Sequence, residues 1–122
     1  MFYLISPPER TDWHVPAEDL IAIMQRDWPQ AEVRRSDVDA PAARDVVWRL
    51  TVDGEELEGS QDRAGQAHYI DGSIGAISRY AAWWRRQVPA SQQLILCDEA
   101  YATVVDLRPN ISNDDVLSLL GA

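Results

Sequence analysis

Residues 46–62, in the middle of the chain, predict a β-hairpin. Their sequence is VVWRLTV for residues 46–52, Asp53-Gly54 for the turn, and EELEGSQD for residues 55–62. Apolar and polar residues alternate through the first segment, as they do in a strand with one buried face. Asp-Gly favours a type I′ turn, because that turn needs a positive φ at both central residues. The turn places Val52 opposite Glu55.

This register brings compatible side chains together along the hairpin. The predicted opposite pairs are Leu50 with Leu57, Trp48 with Gly59, and Arg49 with Glu58. Apolar pairs and pairs of opposite charge each stabilise neighbouring strands. A shift of one residue would exchange the two faces of the hairpin, so the agreement of all three pairs supports the register.

The hairpin also concentrates acidic residues. Residues 53–62 contain five acids and no basic residue, namely Asp53, Glu55, Glu56, Glu58 and Asp62. An ordered acidic surface without matching cations in the same segment suits a basic protein partner, because complementary charge guides association. These five acids are therefore predicted partner-binding residues. A surface that only keeps the protein soluble is the alternative interpretation.

Two tryptophans complete the predicted partner-binding set. Trp13 lies in a loop, and Trp83 lies about 100° around its predicted helix from Trp84, outside the predicted core face. An exposed tryptophan is a frequent anchor at protein interfaces. Partial burial under a neighbouring loop is the other interpretation of each.

Length and composition favour one domain spanning residues 1–122. An apolar content of 46% and five tryptophans provide material for a core. The basic residues number 11, all of them arginine as in many GC-rich bacterial genomes, and 20 acids bring the net charge to −9. This charge opposes nucleic-acid binding, which depends on cationic side chains. Without lysine, a P-loop and a Schiff-base mechanism are excluded.

The N-terminal sequence and the single cysteine indicate the location of the protein and the absence of disulfides. The N-terminus lacks the basic segment and the long apolar core of a signal peptide, and no apolar run reaches membrane-spanning length, so we expect a cytoplasmic protein without a membrane contact. Cys97 alone excludes an internal disulfide and a cysteine-based zinc cluster, and we expect it to be a small buried residue.

The remaining patterns predict an α+β domain with an antiparallel sheet, two main helices on one face and a short C-terminal helix. The order is β-α-β-β-β-β-α-β-β-α. Outside the hairpin, the elements are strands at 2–5, 31–35, 66–70, 94–97 and 101–107, and helices at about 16–28 and 73–87 and from Ser112, with a loop at 36–44.

Known catalytic patterns are missing from the sequence. His14 and His68 lack the spacing of metal ligands, and the segment around Ser73 is not a nucleophile elbow. Ser73 suits a helix N-cap instead. We predict no catalytic residue, no metal site and no cofactor.

The C-terminal third resembles the ending of small bacterial immunity proteins, which neutralise toxins delivered between competing cells. The resemblance covers residues 94–101, LILCDEAY, followed by VVDLRP at 104–109 and a short capped helix. It implies a small acidic protein without enzymatic activity, and it carries no binding residue over to this chain.

Three hypotheses for function follow. The first is a stoichiometric protein-binding module, concretely an immunity protein that neutralises a basic toxin through the acidic hairpin. The second is a small-molecule-binding or minor enzymatic domain with a pocket between sheet and helices. The third is a structural subunit that dimerises through an open sheet edge. The sequence does not specify the oligomeric state.

Overall fold

The predicted hairpin forms and lies within a seven-stranded antiparallel sheet. The structure is a computed structural model that describes residues 2–36 and 44–121. Its elements are β1 (Phe2–Ser6), α1 (Ala17–Asp27), β2 (Glu32–Arg35), β3 (Arg44–Val52), β4 (Glu55–Asp62), β5 (His68–Asp71), α2 (Ile74–Gln87), β6 (Ile95–Asp98), β7 (Val104–Asp106) and α3 (Asn113–Leu119). The predicted α+β class and element order are confirmed.

The strands are arranged in the order β2-β3-β4-β5-β1-β6-β7. The first strand of the chain therefore lies inside the sheet, between β5 and β6, and every neighbouring pair is antiparallel. Helices α1 and α2 pack against the hairpin side of the sheet, and α3 packs on α2. Within residues 2–36 and 44–121, helices cover one face of the sheet and no helix covers the other, which we call the open face.

The hairpin has the register that the sequence predicts. Val52 pairs with Glu55, and the three predicted pairs further along the strands are all present. Asp53 and Gly54 have φ values of 51° and 82°, as the type I′ turn requires.

Trp48 covers Gly59 so closely that no other residue fits there. A Cβ added to Gly59 would lie 2.4 Å from Trp48 Nε1. The indole ring then continues into an aromatic cluster, with His68 at 5.1 Å and Tyr80 at 6.1 Å between ring centroids. Gly59 therefore lets the largest side chain of β3 lie flat on β4.

The helix ends follow the predicted chemistry. The Ser73 side chain accepts a hydrogen bond from the backbone N–H of Ala76, and Ser112 and Asp115 form a reciprocal capping box at the start of α3. Each satisfies backbone donors that a helix N-terminus leaves unpaired.

The prediction that Trp83 lies outside the core is wrong. Trp83 is only 7% exposed and packs edge-on against Trp28, with 5.7 Å between ring centroids. The reason is that Asp27 and Trp28, at the end of α1, cover this side of α2. At the start of α2, Ile74 is 38% exposed.

Several predicted boundaries also differ. The strand predicted to begin at residue 66 begins at His68, because the Asp62 carboxylate holds the backbone N–H groups of 66 and 67 in a turn. The strand predicted at 101–107 is shorter, since Tyr101 has a φ of 55° and belongs to the preceding turn. Of the predicted loop at 36–44, residues 37–43 lie outside the described residues, and Arg44 is already part of β3.

Replacing Gly59 should test the contact with Trp48. We expect Gly59→Ala to lower the free energy of unfolding by about 1–3 kcal/mol, because the new methyl group meets the indole ring. Gly75→Ala is the matched control, since a Cβ there meets nothing closer than 3.9 Å. Urea denaturation gives both values, and equal effects of the two substitutions would contradict the role of Gly59.

The burial of Trp83 leads to a second stability prediction. Trp83→Ala and Trp84→Ala should each cost about 3–5 kcal/mol, because both remove a large ring from the core. Chemical denaturation of the two variants tests this, and a loss for Trp83→Ala of less than half that for Trp84→Ala would place Trp83 outside the core after all.

Candidate functional site

The sheet face opposite the helices carries a continuous, mostly apolar row of side chains. Residues paired across antiparallel strands point to the same side of the sheet. Successive partners from β2 to β7 form this apolar row: Arg34, Val47, Ser60, Tyr69, Leu4, Cys97 and Val104. At a strand spacing of about 4.8 Å, the row crosses roughly 29 Å of surface.

A second row beside it is mostly charged. The charged row consists of Glu32, Arg49, Glu58, Asp71 and Phe2, again as successive cross-strand partners. Three of its five members are acids. The open face therefore combines an apolar row with a largely acidic one.

The charged row and the β2–β5 part of the apolar row line a broad groove of about 740 Å³. Phe2 and Val104 are 50% and 56% exposed, which is high for apolar side chains on a strand. The guanidinium of Arg44 lies 3.4 Å from the centroid of the Tyr69 ring, in a cation–π contact. Exposed apolar side chains next to charged ones are typical of surfaces that bind other proteins.

Of the predicted acids, Glu56 and Glu58 lie on the open face and share one cation. Arg49 Nε is 2.8 Å from a Glu56 carboxylate oxygen, and Arg49 Nη2 is 3.0 Å from one of Glu58. The hydrogen bond to Glu58 and the charges of both acids raise the pKa of Arg49. The matching cation that residues 53–62 lack thus comes from the neighbouring strand, and one positive charge serves two negative ones.

The acids at the hairpin turn point elsewhere. Asp53 pairs with Arg79 of α2 at 3.1 Å. Glu55 accepts a hydrogen bond from the hydroxyl of Ser73, the N-cap of the same helix. Both acids connect the hairpin turn to the start of α2, so they contribute to the fold.

Asp62 lies at the opposite end of β4, where its carboxylate accepts two backbone N–H bonds of the next turn, at 2.9 and 3.1 Å. The five predicted acids therefore do not form one surface. Only Glu56 and Glu58 remain together on a face that a partner could reach.

Neither predicted tryptophan lies on the open face. Trp13 is partly buried against the core, and its carbonyl accepts a hydrogen bond from Gln66 at 2.8 Å. Trp83 donates its indole N–H to Asp27 at 2.9 Å. The hydrogen bonds from Arg26 and Trp83 lower the pKa of Asp27 to about 2. At its low exposure, Trp83 presents almost no surface to a partner.

The residues that sequence reasoning missed are Phe2 and Val104. Both lie in predicted strands, but they meet the hairpin only through the pairing of β1 with β5 and β6, which are distant in sequence. Their signal in the sequence is weak: each is the apolar residue at an outward position of a short strand.

A buried chain of hydrogen bonds lies on the other face, under the helices. Tyr80 and His68 Nδ1 are 2.9 Å apart, His68 Nε2 and Gln61 Oε1 are 2.9 Å apart, and Gln61 donates its amide to the Val15 carbonyl at 3.0 Å. Because the Gln61 amide nitrogen donates to the Val15 carbonyl, it is the Gln61 oxygen Oε1 that faces His68. This oxygen accepts a hydrogen bond from the N–H at His68 Nε2. His68 Nδ1 then accepts from the Tyr80 hydroxyl. His68 is fully buried and stacked on Trp84.

Comparisons with known proteins identify no relative. No protein-family model matches the chain, and no curated protein or solved structure matches it significantly. The resemblance of the C-terminal third to immunity proteins thus stays a hypothesis.

Within residues 2–36 and 44–121, no cluster of three or more His, Cys, Asp or Glu suits a metal ion. In the same ranges, no helix has the length and apolarity needed to cross a membrane.

Burial of His68 should make the fold sensitive to acid. Burial lowers the pKa of His68 from 6.5 to about 3. Between these values the unfolded chain binds a proton that the folded protein does not, so stability falls as the pH falls, by about 1.4 kcal/mol per unit. The lowered pKa of Asp27 acts in the same direction only below its ordinary value of 3.8.

Urea denaturation between pH 6.5 and 4.5 isolates the effect of His68. We expect His68→Gln to reduce the slope of the free energy of unfolding against pH in this range, whatever the substitution costs in stability at pH 7. His14→Gln is the matched control, because His14 is exposed, and it should leave the slope unchanged. An equally steep profile in His68→Gln would show that another group causes the acid sensitivity.

Proposed function

We propose that this chain is a stoichiometric protein-binding module that neutralises a basic toxin, in the manner of an immunity protein, and that the open sheet face is its contact surface. The observation that carries the proposal is a groove on the open face that combines apolar side chains, among them the half-exposed Phe2, with a largely acidic row. The acidic side chains and the apolar side chains of this face contribute to recognition in different ways.

The acids favour a basic partner. The whole chain carries a net charge of −9, and Glu56 and Glu58 together exceed the charge of Arg49, their shared cation. A negative field raises the rate at which a cationic protein arrives, and it repels nucleic-acid phosphates. The partner therefore presents Lys or Arg side chains to the charged row.

Exposed apolar side chains of the open face supply the contact that holds the partner. Phe2 and Val104 expose half or more of their side chains, and burying such groups stabilises a complex by roughly 25 cal/mol per Å² before the costs of association. Large apolar side chains within an interface dominate dissociation rates. The toxin-neutralising role itself rests on the C-terminal resemblance and on the small, acidic character of the chain.

The role in neutralisation can be tested with the neighbouring gene. If a large toxin-like reading frame lies next to this one, its expression should arrest growth, and co-expression of this chain should restore it. The purified pair should form a one-to-one complex. Arrest that co-expression does not relieve would contradict the immunity role.

The contact surface is tested by association kinetics with that toxin. Glu56→Arg combined with Glu58→Arg should slow association about tenfold at low salt and flatten its salt dependence, since steering acts on the on-rate. Glu18→Arg with Asp19→Arg, on exposed positions of α1, is the control with the same change in net charge. An equal effect of both double variants would show that total charge, and not the open face, steers the partner.

Phe2→Ala separates the apolar contribution from the charged one. We expect it to accelerate dissociation about tenfold or more with little change in association. Stopped-flow and surface-binding measurements give both rates. If the variant instead abolishes a concentration-dependent dimer of the free chain, the occupant of the groove is a second copy, and the proposal is wrong.

A further inference from the structure

A second concave surface, on the helix side, is rich in arginine. It is a cleft of about 560 Å³ between the end of α1, the exposed side of α2, the β3–β4 turn and the first residue of α3. Arg26, Arg79 and Arg86 surround it, while Ala82 and Trp83 form its apolar floor. We call it the arginine cleft. Three of the 11 basic residues of an acidic chain thus lie around one depression.

The two acids of the arginine cleft are already engaged. Asp27 accepts two hydrogen bonds from Arg26, both at 2.8 Å, and one from Trp83 at 2.9 Å. Asp53 forms an ion pair with Arg79, with 3.1 Å between Asp53 Oδ2 and Arg79 Nη1, and both side chains are about half exposed or more. These contacts occupy the acceptors of the cleft but leave several guanidinium donors without a partner.

Two further side chains add donors. Arg86 has no ion-pair or hydrogen-bond partner among residues 2–36 and 44–121, and Asn113, which also lines the cleft, adds two amide N–H donors and one acceptor oxygen. The cleft therefore presents more donors than acceptors, around an apolar floor. A ligand that fits this imbalance supplies several oxygen acceptors and negative charge.

We propose that the arginine cleft binds a small ligand carrying two or more oxyanionic groups, phosphate or carboxylate. Arg79 and Arg86 are two helical turns apart, about 10.5 Å along the axis of α2. A single phosphate group is too small to engage both side chains fully, whereas a ligand with two or three linked oxyanions reaches from one to the other.

This site is independent of the proposed contact with a toxin. The cleft lies on the helical side of the molecule and the groove lies on the opposite sheet face, and they share no lining residue. A failure of one proposal therefore leaves the other standing.

Isothermal titration calorimetry with tripolyphosphate, at low ionic strength, tests the cleft directly. We expect saturable one-to-one binding, weakened about tenfold or more by Arg79→Gln with Arg86→Gln, because charge-assisted hydrogen bonds are lost. The matched control is Arg63→Gln, an exposed arginine in the β4–β5 turn outside the cleft. It should change the affinity by less than about twofold.

The variants are designed to keep the fold. Arg86→Gln alone removes no contact seen among the described residues. If circular dichroism shows that the double variant is unfolded, the affinity of Arg86→Gln for tripolyphosphate is the test. Citrate in place of tripolyphosphate distinguishes the two chemistries, since tighter binding of one assigns the ligand to phosphates or to carboxylates. Absence of saturable binding of either probe, or an equal loss in Arg63→Gln, would overturn the proposal.

Discussion

The contact between Trp48 and Gly59 is the constraint on which the sheet depends. Only the absence of a side chain at Gly59 lets the indole ring lie on β4, since an added Cβ would come within 2.4 Å of it. A shift of one residue between β3 and β4 would place Glu58 or Ser60 under the ring and turn the apolar side of β3 outward. The same register decides which residues reach the open face, so the core and the candidate interface are set by one contact.

The aromatic cluster beneath the helices has polar groups at its centre, and these differ in how well they are satisfied. In the Gln61–His68–Tyr80 chain, both ring nitrogens of His68 have a hydrogen-bond partner, and Gln61 donates to the Val15 carbonyl. Arg85, in the last turn of α2, is 2% exposed and donates one hydrogen bond to the Pro89 carbonyl, while its Nε and Nη1 have no partner among the described residues. Its burial lowers its pKa. The hydrogen-bonded Gln61–His68–Tyr80 chain favours one arrangement of the core. Burial of the incompletely bonded Arg85, in contrast, lowers the stability of the fold.

Local patterns predict local structure well here, and they fail where distant segments meet. The alternation at 46–52, the Asp53-Gly54 turn and the Ser73 and Ser112 caps each act within a few residues, and the structure confirms them. Trp83 was misplaced because the pattern of one helix does not show that the end of α1 covers a second side of it. The open-face rows were missed for the same reason: they arise from seven strands whose order, with β1 between β5 and β6, no local pattern contains. Of the candidate site, only Glu56 and Glu58 were accessible to sequence reasoning.

The pairing of Glu56 and Glu58 with Arg49 changes what acidic residues can contribute to recognition. Because an arginine already lies between them, a cationic partner must replace existing ion pairs, and the net gain from each new pair is small at such exposed positions. Long-range attraction is less affected, since it depends on the sum of charges, which stays negative. The acids are therefore suited to speeding the approach of a basic protein, and the retention of that protein depends on apolar contact. Phe2, in the groove, and Val104, on the edge strand β7 of the same face, are the side chains whose burial provides it.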